Sequence, residues 1–230
     1  MYSTSMANTS KPGLRTKSKQ FIRRYFLPRT CLTEQEKYFK DGGNALLYPW
    51  VLPRDSICVD IGAYLGDYIR GYLDKNNLGR ILAFEPIPQY YTKIIDEFGD
   101  NPQVSVFPYA LSSENGWIQV IPNGAATTLV PSSNNSLSET SVQIRCELFS
   151  ILNILIPEGK IDWVKINIEG AEYQLLRYLD LSSSMKRIKT LVVQFHHIDG
   201  ENLTQMHALL SKTHTMCWGY NYVWERWDVN

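Results

Sequence analysis

The sequence predicts an α/β fold: a mostly parallel, twisted sheet with helices on both faces and a C-terminal antiparallel strand. From about residue 56 onward, short apolar runs such as residues 56–63 and 190–195 alternate with amphipathic stretches of helical period. A glycine-rich turn follows the first run, and the C-terminal region has the aromatic residues of a strand pair. A chain of 230 residues, 44% of them hydrophobic, suits one substantial domain with a real core.

The individual elements are expected in the following order along the chain. The expected strands are residues 56–62, 80–86, 104–111, 162–168 and 190–196, followed by the C-terminal strand pair. The expected helices are residues 66–74, 89–98, 171–178 and 202–213. Residues 33–53 do not fit this alternation, and we expect them to form a short helix and a cap across one end of the sheet.

A serine- and asparagine-rich segment, residues 132–140, interrupts the alternation between β-like runs at residues 117–121 and 142–146. A lid over an active site and an ordinary surface loop are equally good interpretations of this segment. The pattern therefore predicts two parts, a basic N-terminal arm with its helical cap over residues 1–53 and a main domain over residues 54–230.

The charge of the chain is balanced overall but unevenly distributed. Lysine plus arginine and aspartate plus glutamate each number 23, yet residues 1–33 hold seven basic residues and no acidic one. Such an arm could meet a membrane surface, an anionic partner or nucleic acid, could be an organellar transit peptide, or could be a solvated terminus. The acidic remainder of the chain argues against nucleic acid as the substrate.

No segment of the sequence has the pattern expected for membrane insertion or export. The apolar runs are well short of the ~20 residues of a membrane span, and the N-terminal region lacks the apolar stretch of a secretory signal. Four scattered cysteines without a CxxC pair argue against a zinc site or a disulfide framework: Cys31, Cys58, Cys146 and Cys217. These features predict a cytoplasmic protein and indicate nothing about its oligomeric state.

The strongest functional signal is VDIGAYLGDY at residues 59–68, which follows an apolar strand and opens a helix. Gly62 permits a sharp turn, and Gly66 lets the backbone approach a ligand at the helix N-terminus. The unpaired N–H groups of that helix end can bind a carboxylate, such as that of the methionine part of S-adenosylmethionine (SAM). The GxxxG spacing differs from the GxGxxG of dinucleotide-binding turns. We therefore assign Asp60, Gly62, Ala63 and Gly66 to cofactor binding.

Two further strand ends extend the predicted cofactor site. Glu85 ends the second strand, 23 residues after Gly62, where its carboxylate can accept hydrogen bonds from both ribose hydroxyls of an adenosine ligand. An exposed glutamate before the turn at Pro86 is the alternative. Ala110 and Leu111, at the end of the third strand, could flank the adenine, although such a pair is also ordinary core. Glu85, Pro86, Ala110 and Leu111 complete the cofactor assignment.

Polar side chains at the ends of the next two strands indicate the acceptor site. In KINIEGAE, residues 165–172, the side chains of Lys165, Asn167 and Glu169 would share one face of an extended strand. His196 ends the following strand, where a neutral imidazole can accept a hydroxyl proton, although a structural histidine is an equally good interpretation. We assign catalysis to Asn167, Glu169 and His196 and assign no metal ligand. Glu172 is interpreted as complementing the helix dipole.

Together these motifs resemble the FkbM family of SAM-dependent methyltransferases. The resemblance covers about residues 56–195 and rests on VDIGAYLGDY, on FEP at residues 84–86, on YALS followed by Gly116, on KINIEGAE and on the QFH strand end. It implies a Rossmann-like class I methyltransferase fold, SAM as cofactor, and O-methylation of a hydroxyl on a sugar, a glycolipid or another small metabolite. Tyr64 stands where the family usually has Asn, and Asn167 where it usually has Asp.

The reaction expected from these assignments is an in-line displacement at the SAM methyl group. Alignment of the reacting atoms contributes roughly 7–11 kcal/mol, so a strong base is less necessary. The amide at Asn167 also supports an alternative, a catalytically impaired SAM-binding module that acts as a partner or sensor. A nicotinamide-dependent oxidoreductase on a similar sheet is a third hypothesis, and the GxxxG spacing argues against it.

Overall fold

The structure of the protein is a computed structural model that describes residues 28–49, 52–75, 79–122, 128–129, 141–157 and 159–230. The strands within these residues are β1 (Ile57–Ile61), β2 (Arg80–Phe84), β3 (Val104–Phe107), β4 (Ala110–Ser112), β5 (Gly116–Ile121), β6 (Thr128–Leu129), β7 (Val142–Leu148), β8 (Trp163–Ile166), β9 (Thr190–Val193), β10 (His214–Tyr220) and β11 (Trp224–Val229). The α-helices are α1 (Glu34–Lys40), α2 (Asp67–Asp74), α3 (Pro88–Phe98), α4 (Leu152–Leu155), α5 (Glu172–Leu181) and α6 (Leu203–Leu210). None of these described helices has the length and apolar character that a membrane span requires.

The main sheet has seven strands in the order β10-β11-β9-β8-β1-β2-β3. Strands β9, β8, β1, β2 and β3 are parallel, and β11 runs antiparallel to both β9 and β10. Ile61, at the end of β1, is in register with Phe84 of β2 and Ile166 of β8, so the carboxyl ends of these strands lie side by side. The predicted mostly parallel sheet with a C-terminal antiparallel strand is confirmed.

Helices cover both faces of the main sheet, as the sequence predicts, and the central strands are therefore buried on both sides. On β1, Cys58 belongs to a buried cluster with Ile69 of α2 and Ile94 of α3. The next residue, Val59, belongs to the cluster on the opposite face, with Leu176 of α5 and residues of α4 and α6. The helices bury side chains three or four positions apart, and this spacing places one apolar face of each against the sheet.

The segment before β1 packs on the α2 side of the sheet. Thr33 and Glu36 form a capping box that begins α1, in which each side chain accepts a hydrogen bond from the backbone N–H of the other residue. Tyr38 is buried with its ring 5.5 Å from that of Tyr220 on β10. The Tyr220 hydroxyl donates to Asp41 at 2.6 Å, which anchors the segment on β10. The first 27 residues of the predicted basic arm lie outside the described residues.

A second sheet has four strands in the order β4-β7-β5-β6, and it includes the β-like runs at residues 117–121 and 142–146. The prediction of a single strand over residues 104–111 is wrong, because β3 belongs to the main sheet and β4 to the second. Pro108 lies between them, and its missing N–H and fixed φ end the ladder of β3. The loop predicted at residues 132–140 lies outside the described residues.

The strands that lead to the predicted acceptor site are shorter than expected. Strand β8 ends at Ile166 and β9 at Val193, rather than at residues 168 and 196. Asn167, Glu169 and His196 therefore lie in the loops just beyond the strand ends, and not on a shared strand face. Loop backbone at this edge of a parallel sheet is where open α/β proteins place their ligands.

Candidate active site

A cavity opens at the carboxyl ends of β1, β2 and β8, with a volume of about 950 Å³ that includes its part open to solvent. The loops leaving these strands contribute Gly62, Glu85, Asn167 and Glu169 to its lining. The second sheet supplies an apolar wall that includes Ile118, Val120 and Ile144. The position of the cavity is that of a ligand site in an open α/β sheet.

The cavity brings together most of the residues that the sequence assigns to cofactor and acceptor. The predicted site residues in its lining are Gly62, Glu85, Pro86, Ala110, Leu111, Asn167 and Glu169. Three residues assigned to the cofactor, Asp60, Ala63 and Gly66, are not among those that line it. His196 joins the site through its contact with Glu169.

Several backbone N–H groups of the turn after β1 are paired within the protein. The N–H groups of Gly62 and Ala63 both donate to the main-chain oxygen of Phe84, at 3.0 and 3.1 Å. Gly62 has a φ of 80°, and a Cβ added there would lie 2.0 Å from the main-chain oxygen of Asn167. Gly66 has a φ of 78°, and its added Cβ would meet an aromatic ring of α3 at 2.7 Å. These glycines therefore let neighbouring strands and helices approach one another.

Glu85 carries a carboxylate that is 4% exposed and lines the cavity. Its Oε2 atom accepts a hydrogen bond from the N–H of Tyr64 at 2.8 Å, and its Oε1 atom accepts one from the N–H of Ile87 at 2.9 Å. Burial raises the pKa of Glu85 to about 7, although the two hydrogen bonds oppose the shift. Each oxygen retains acceptor capacity, so the carboxylate can still receive two ligand hydroxyls.

Asp60 pairs with Lys165 beneath the glycine turn, a relationship that sequence reasoning missed. The two charged groups are 2.9 Å apart, and their side chains are 0% and 7% exposed. The Lys165 ammonium also donates to the main-chain oxygen of Gly62 at 2.7 Å. Burial raises the pKa of Asp60, and the charge of Lys165 opposes that shift. Lys165 therefore links Asp60 to the turn, and the alternating polar residues Lys165, Asn167 and Glu169 were the sequence signal that singled out this lysine.

His196 lies between two carboxylates next to the cavity. Its Nδ1 atom is 2.9 Å from Oε1 of Glu172, and its Nε2 atom is 3.4 Å from Oε2 of Glu169. Burial alone would lower the pKa of His196, but the hydrogen bond with Glu172 and the charges of both carboxylates raise it overall. Burial raises the pKa of Glu169, against the attraction of His196. The cluster can accept and release a proton at the edge of the cavity.

The connection from β8 to α5 contains two further features that mark a ligand site. Glu169 has a φ of 54° and Gly170 a φ of 104°. The left-handed conformation costs a non-glycine residue roughly 1–2 kcal/mol, and strain of this kind concentrates at functional sites. The Oδ1 atom of Asn167 is buried and has no hydrogen-bond partner among the described residues. A ligand donor in the cavity would satisfy it.

The fold and this site define an α/β protein that takes a ligand at the carboxyl ends of its parallel strands. The sequence model described as the methyltransferase FkbM domain matches residues 60–222, and the chain belongs to this family. The protein is a methyltransferase, and the expected FkbM resemblance is confirmed.

Similar proteins include a curated relative and several solved structures. Methyltransferase sdnD from Sordaria araneosa is 28% identical over an alignment 191 positions long, and the match covers 69% of this chain and 73% of the relative. The structure of a fibrillarin–Nop5p complex matches with 12% sequence identity and a TM-score of 0.47. The match covers 86% of this chain and 80% of the matched chain. The structure of an rRNA methylase from Streptococcus thermophilus matches with 13% sequence identity and a TM-score of 0.44. The match covers 78% of this chain and 89% of the matched chain.

The family implies SAM as the methyl donor, and the residues of the cavity fit it. Glu85 offers a buried carboxylate with free acceptor capacity in the cavity at the carboxyl ends of the strands, which is where an open α/β sheet binds its ligands. Within the described ranges, no group of three or more His, Cys, Asp and Glu side chains is arranged to hold a metal ion.

Proposed function

We propose that the protein transfers the methyl group of SAM to a hydroxyl of a sugar, a glycolipid or another small metabolite. The observation that carries the proposal is that Glu85 and Glu169 line the same cavity. Glu85 suits the ribose of the cofactor, and Glu169 contacts His196, the group suited to take a hydroxyl proton. Cofactor and acceptor can therefore meet in one space.

The cofactor residues divide into those that contact it and those that shape its site. The proposed contacts are Gly62, Glu85, Pro86, Ala110 and Leu111, all of which line the cavity. Asp60, Ala63 and Gly66 are proposed to act through the geometry of the glycine turn, which the Lys165 ammonium braces at the oxygen of Gly62.

The acceptor residues hold the hydroxyl and receive its proton. When bound, SAM supplies a methyl group on a sulfonium that is already an activated leaving group. Asn167 and Glu169 accept hydrogen bonds from neighbouring donors of the acceptor at the cavity wall and so orient its reacting hydroxyl toward His196. The Nε2 atom of His196 takes the hydroxyl proton, a role that typically contributes 10²–10⁴-fold in rate. Alignment in the cavity supplies the larger share, roughly 7–11 kcal/mol.

Calorimetric and thermal-shift titrations of the full chain with SAM, S-adenosylhomocysteine and NADH test the cofactor. SAM and S-adenosylhomocysteine are expected to bind, and at about 100 times its Kd each should raise the free energy of unfolding by roughly 2.7 kcal/mol. Binding of NADH alone, or of no ligand, contradicts the proposal. Transfer of a labelled methyl group to panels of glycans, small alcohols, amines and RNA then tests the acceptor, and transfer only to amines or RNA overturns the hydroxyl assignment.

A second candidate, a SAM-binding module without catalysis, is supported by Asn167. This amide lines the cavity where the resemblance leads us to expect an acid. The module would bind SAM, would transfer its methyl group to no acceptor, and would gain activity in the Asn167→Asp variant. Methyl transfer by the unchanged protein rules this candidate out.

A further inference from the structure

Glu172 begins α5, yet its side chain is 0% exposed. Its Oε1 atom accepts a hydrogen bond from the N–H of Ile168 at 3.0 Å and lies 2.9 Å from Nδ1 of His196. A glutamate that only complements a helix dipole can do so from the surface. Complete burial of a carboxylate is unfavourable unless specific partners compensate it, so the contact with His196 needs its own explanation.

The contact with Glu172 determines which nitrogen of His196 carries the proton. An ionised carboxylate only accepts hydrogen bonds, so its close contact with Nδ1 favours the tautomer protonated there. The lone pair of the neutral imidazole then lies on Nε2. That nitrogen faces Glu169, which lines the cavity, at the longer distance of 3.4 Å.

The main chain of His196 is held from the same end of α5. The hydroxyl of Tyr173 donates to the main-chain oxygen of His196 at 2.8 Å, and Tyr173 is itself buried. Two consecutive residues of α5 therefore fix the side chain and the backbone of His196. The titratable groups that contact the imidazole among the described residues are the carboxylates of Glu169 and Glu172.

We propose that Glu172 is a positioning residue for methyl transfer, which holds His196 protonated on Nδ1 and keeps Nε2 free to accept the proton of the acceptor hydroxyl. This inference rests on the proposed function, since it requires His196 to act as the base. In the reaction an oxygen–carbon bond forms, the carbon–sulfur bond breaks with its electron pair on sulfur, and the hydroxyl proton moves to Nε2. The His196 side chain is 23% exposed, so this proton can later pass to solvent.

Two substitutions of Glu172 distinguish positioning of His196 from an interaction with the dipole of α5. In Glu172→Gln the amide oxygen can take the place of Oε1 and accept from both Ile168 and Nδ1, so the charge in the first turn is lost while the hydrogen bond that sets the tautomer is kept. In Glu172→Asp an acid remains in the first turn of α5, but its carboxylate is one methylene further from His196. Glu201→Gln is the matched control, because Glu201 pairs with Arg177 of α5.

Nitrogen NMR of the imidazole in the cofactor-free protein reports the tautomer directly. Wild type, Glu201→Gln and Glu172→Gln should carry the proton on Nδ1, and Glu172→Asp, whose carboxylate no longer reaches Nδ1, should lose this preference. With a methyl acceptor in hand, kcat should fall about 10²-fold in Glu172→Asp and stay within about tenfold of wild type in Glu172→Gln. The Kd for SAM should stay within about twofold of wild type in both, since Glu172 does not line the cavity.

Either of two results overturns the inference. The first is a wild-type His196 that carries its proton on Nε2, and the second is a folded Glu172→Asp protein with wild-type turnover. Thermal melting verifies that each variant folds. If neither variant folds, the tautomer of His196 in the wild-type protein still tests the inference. Failure of the unchanged protein to bind SAM counts against the proposed function instead, so the two failures are distinguishable.

Discussion

Asp60 and Lys165 are directly opposed in register on β1 and β8, with 2.9 Å between their charged groups. Both charged groups are buried, at the point where the glycine turn follows β1. Such a buried pair adds little net stability relative to a well-packed apolar pair, but loss of one partner leaves the other charge uncompensated. The geometry of the glycine turn and the stability of the sheet therefore both depend on Asp60 and Lys165.

Replacement of Lys165 by Met should lower the free energy of unfolding by about 3–5 kcal/mol, because Asp60 stays buried without its partner. Urea denaturation measures this loss, and the double variant with Asp60→Asn should recover much of it. Lys212→Met is the control, since Lys212 pairs with Asp180 and is 58% exposed. The control should change stability by less than about 1 kcal/mol. Equal losses in the two single variants would contradict the prediction.

A methyl group at Gly62 should prevent the strands around the cavity from meeting. The Gly62→Ala variant places a Cβ 2.0 Å from the main-chain oxygen of Asn167, and main chain cannot move aside as a flexible side chain can. Gly159→Ala is matched to it, with a φ of 81° and open space around the added Cβ. Gly159→Ala should lose only the roughly 1–2 kcal/mol of a left-handed alanine, and Gly62→Ala clearly more. Thermal and urea melts compare them, and similar losses would count against the steric argument.

The buried carboxyl of Glu85 should make the ligand-free protein less stable as the pH rises. Its pKa is raised from 4.5 to about 7 in the fold, so the folded state holds the proton more tightly than the unfolded chain. The resulting stability is fully present below about pH 4.5 and is lost as the pH rises through about 7, a change on the order of 3 kcal/mol. Urea melts across this range should show the loss in wild type, and Glu85→Gln should lack that component.

SAM binding should have the opposite pH dependence, because the ribose hydroxyls donate to the ionised form of Glu85. The Kd for SAM should rise as the pH falls below about 7, by up to about tenfold per pH unit. Calorimetric titrations between pH 5 and 8 measure it. In Glu85→Gln binding should be weaker at pH 8 and its dependence on pH flatter. A wild-type Kd that is constant over this range would exclude Glu85 from ribose recognition.

Removal of the His196 imidazole should abolish most turnover while the cofactor still binds. His196→Ala is expected to lower kcat about 10²–10⁴-fold, because the hydroxyl proton loses its acceptor. His207→Ala is the matched control, since His207 lies 2.8 Å from the equally buried carboxylate of Glu225, away from the cavity. Both variants leave a buried glutamate without its histidine, so both should lose stability, but only His196→Ala should lose methyl transfer. Full turnover by His196→Ala would contradict its role as the base.

Local signals in the sequence were sufficient to predict the strands of the main sheet and many of the residues that line the cavity. Apolar runs of strand length predicted the parallel strands, and the rule that ligands meet their carboxyl ends placed Glu85 and Asn167 in one cavity. These inferences succeeded because each depends on a few consecutive residues. Pro108 was the local exception, since the apolar run of residues 104–111 concealed a change of sheet.

The remaining features depend on contacts between distant segments. Asp60 has the position of a cofactor residue, and only the pairing of β1 with β8 shows that it faces Lys165. Glu172 has the sequence position of an acid that complements a helix dipole. Its contact with His196 becomes visible only when the loop after β9 is placed beside α5. Neither periodicity nor spacing within one segment specifies which strands become neighbours, so these partners could not be predicted from one sequence.

The last strand of the sheet in chain order is not its edge. Strand β11 lies between β9 and β10, so β10 joins the sheet only through β11. A nascent chain that has emerged only as far as Tyr220 therefore has β10 without its neighbour, and the exposed side of β9 is an open template for another strand. The sheet can therefore close only after residues 224–229 are available to fill the place between β9 and β10.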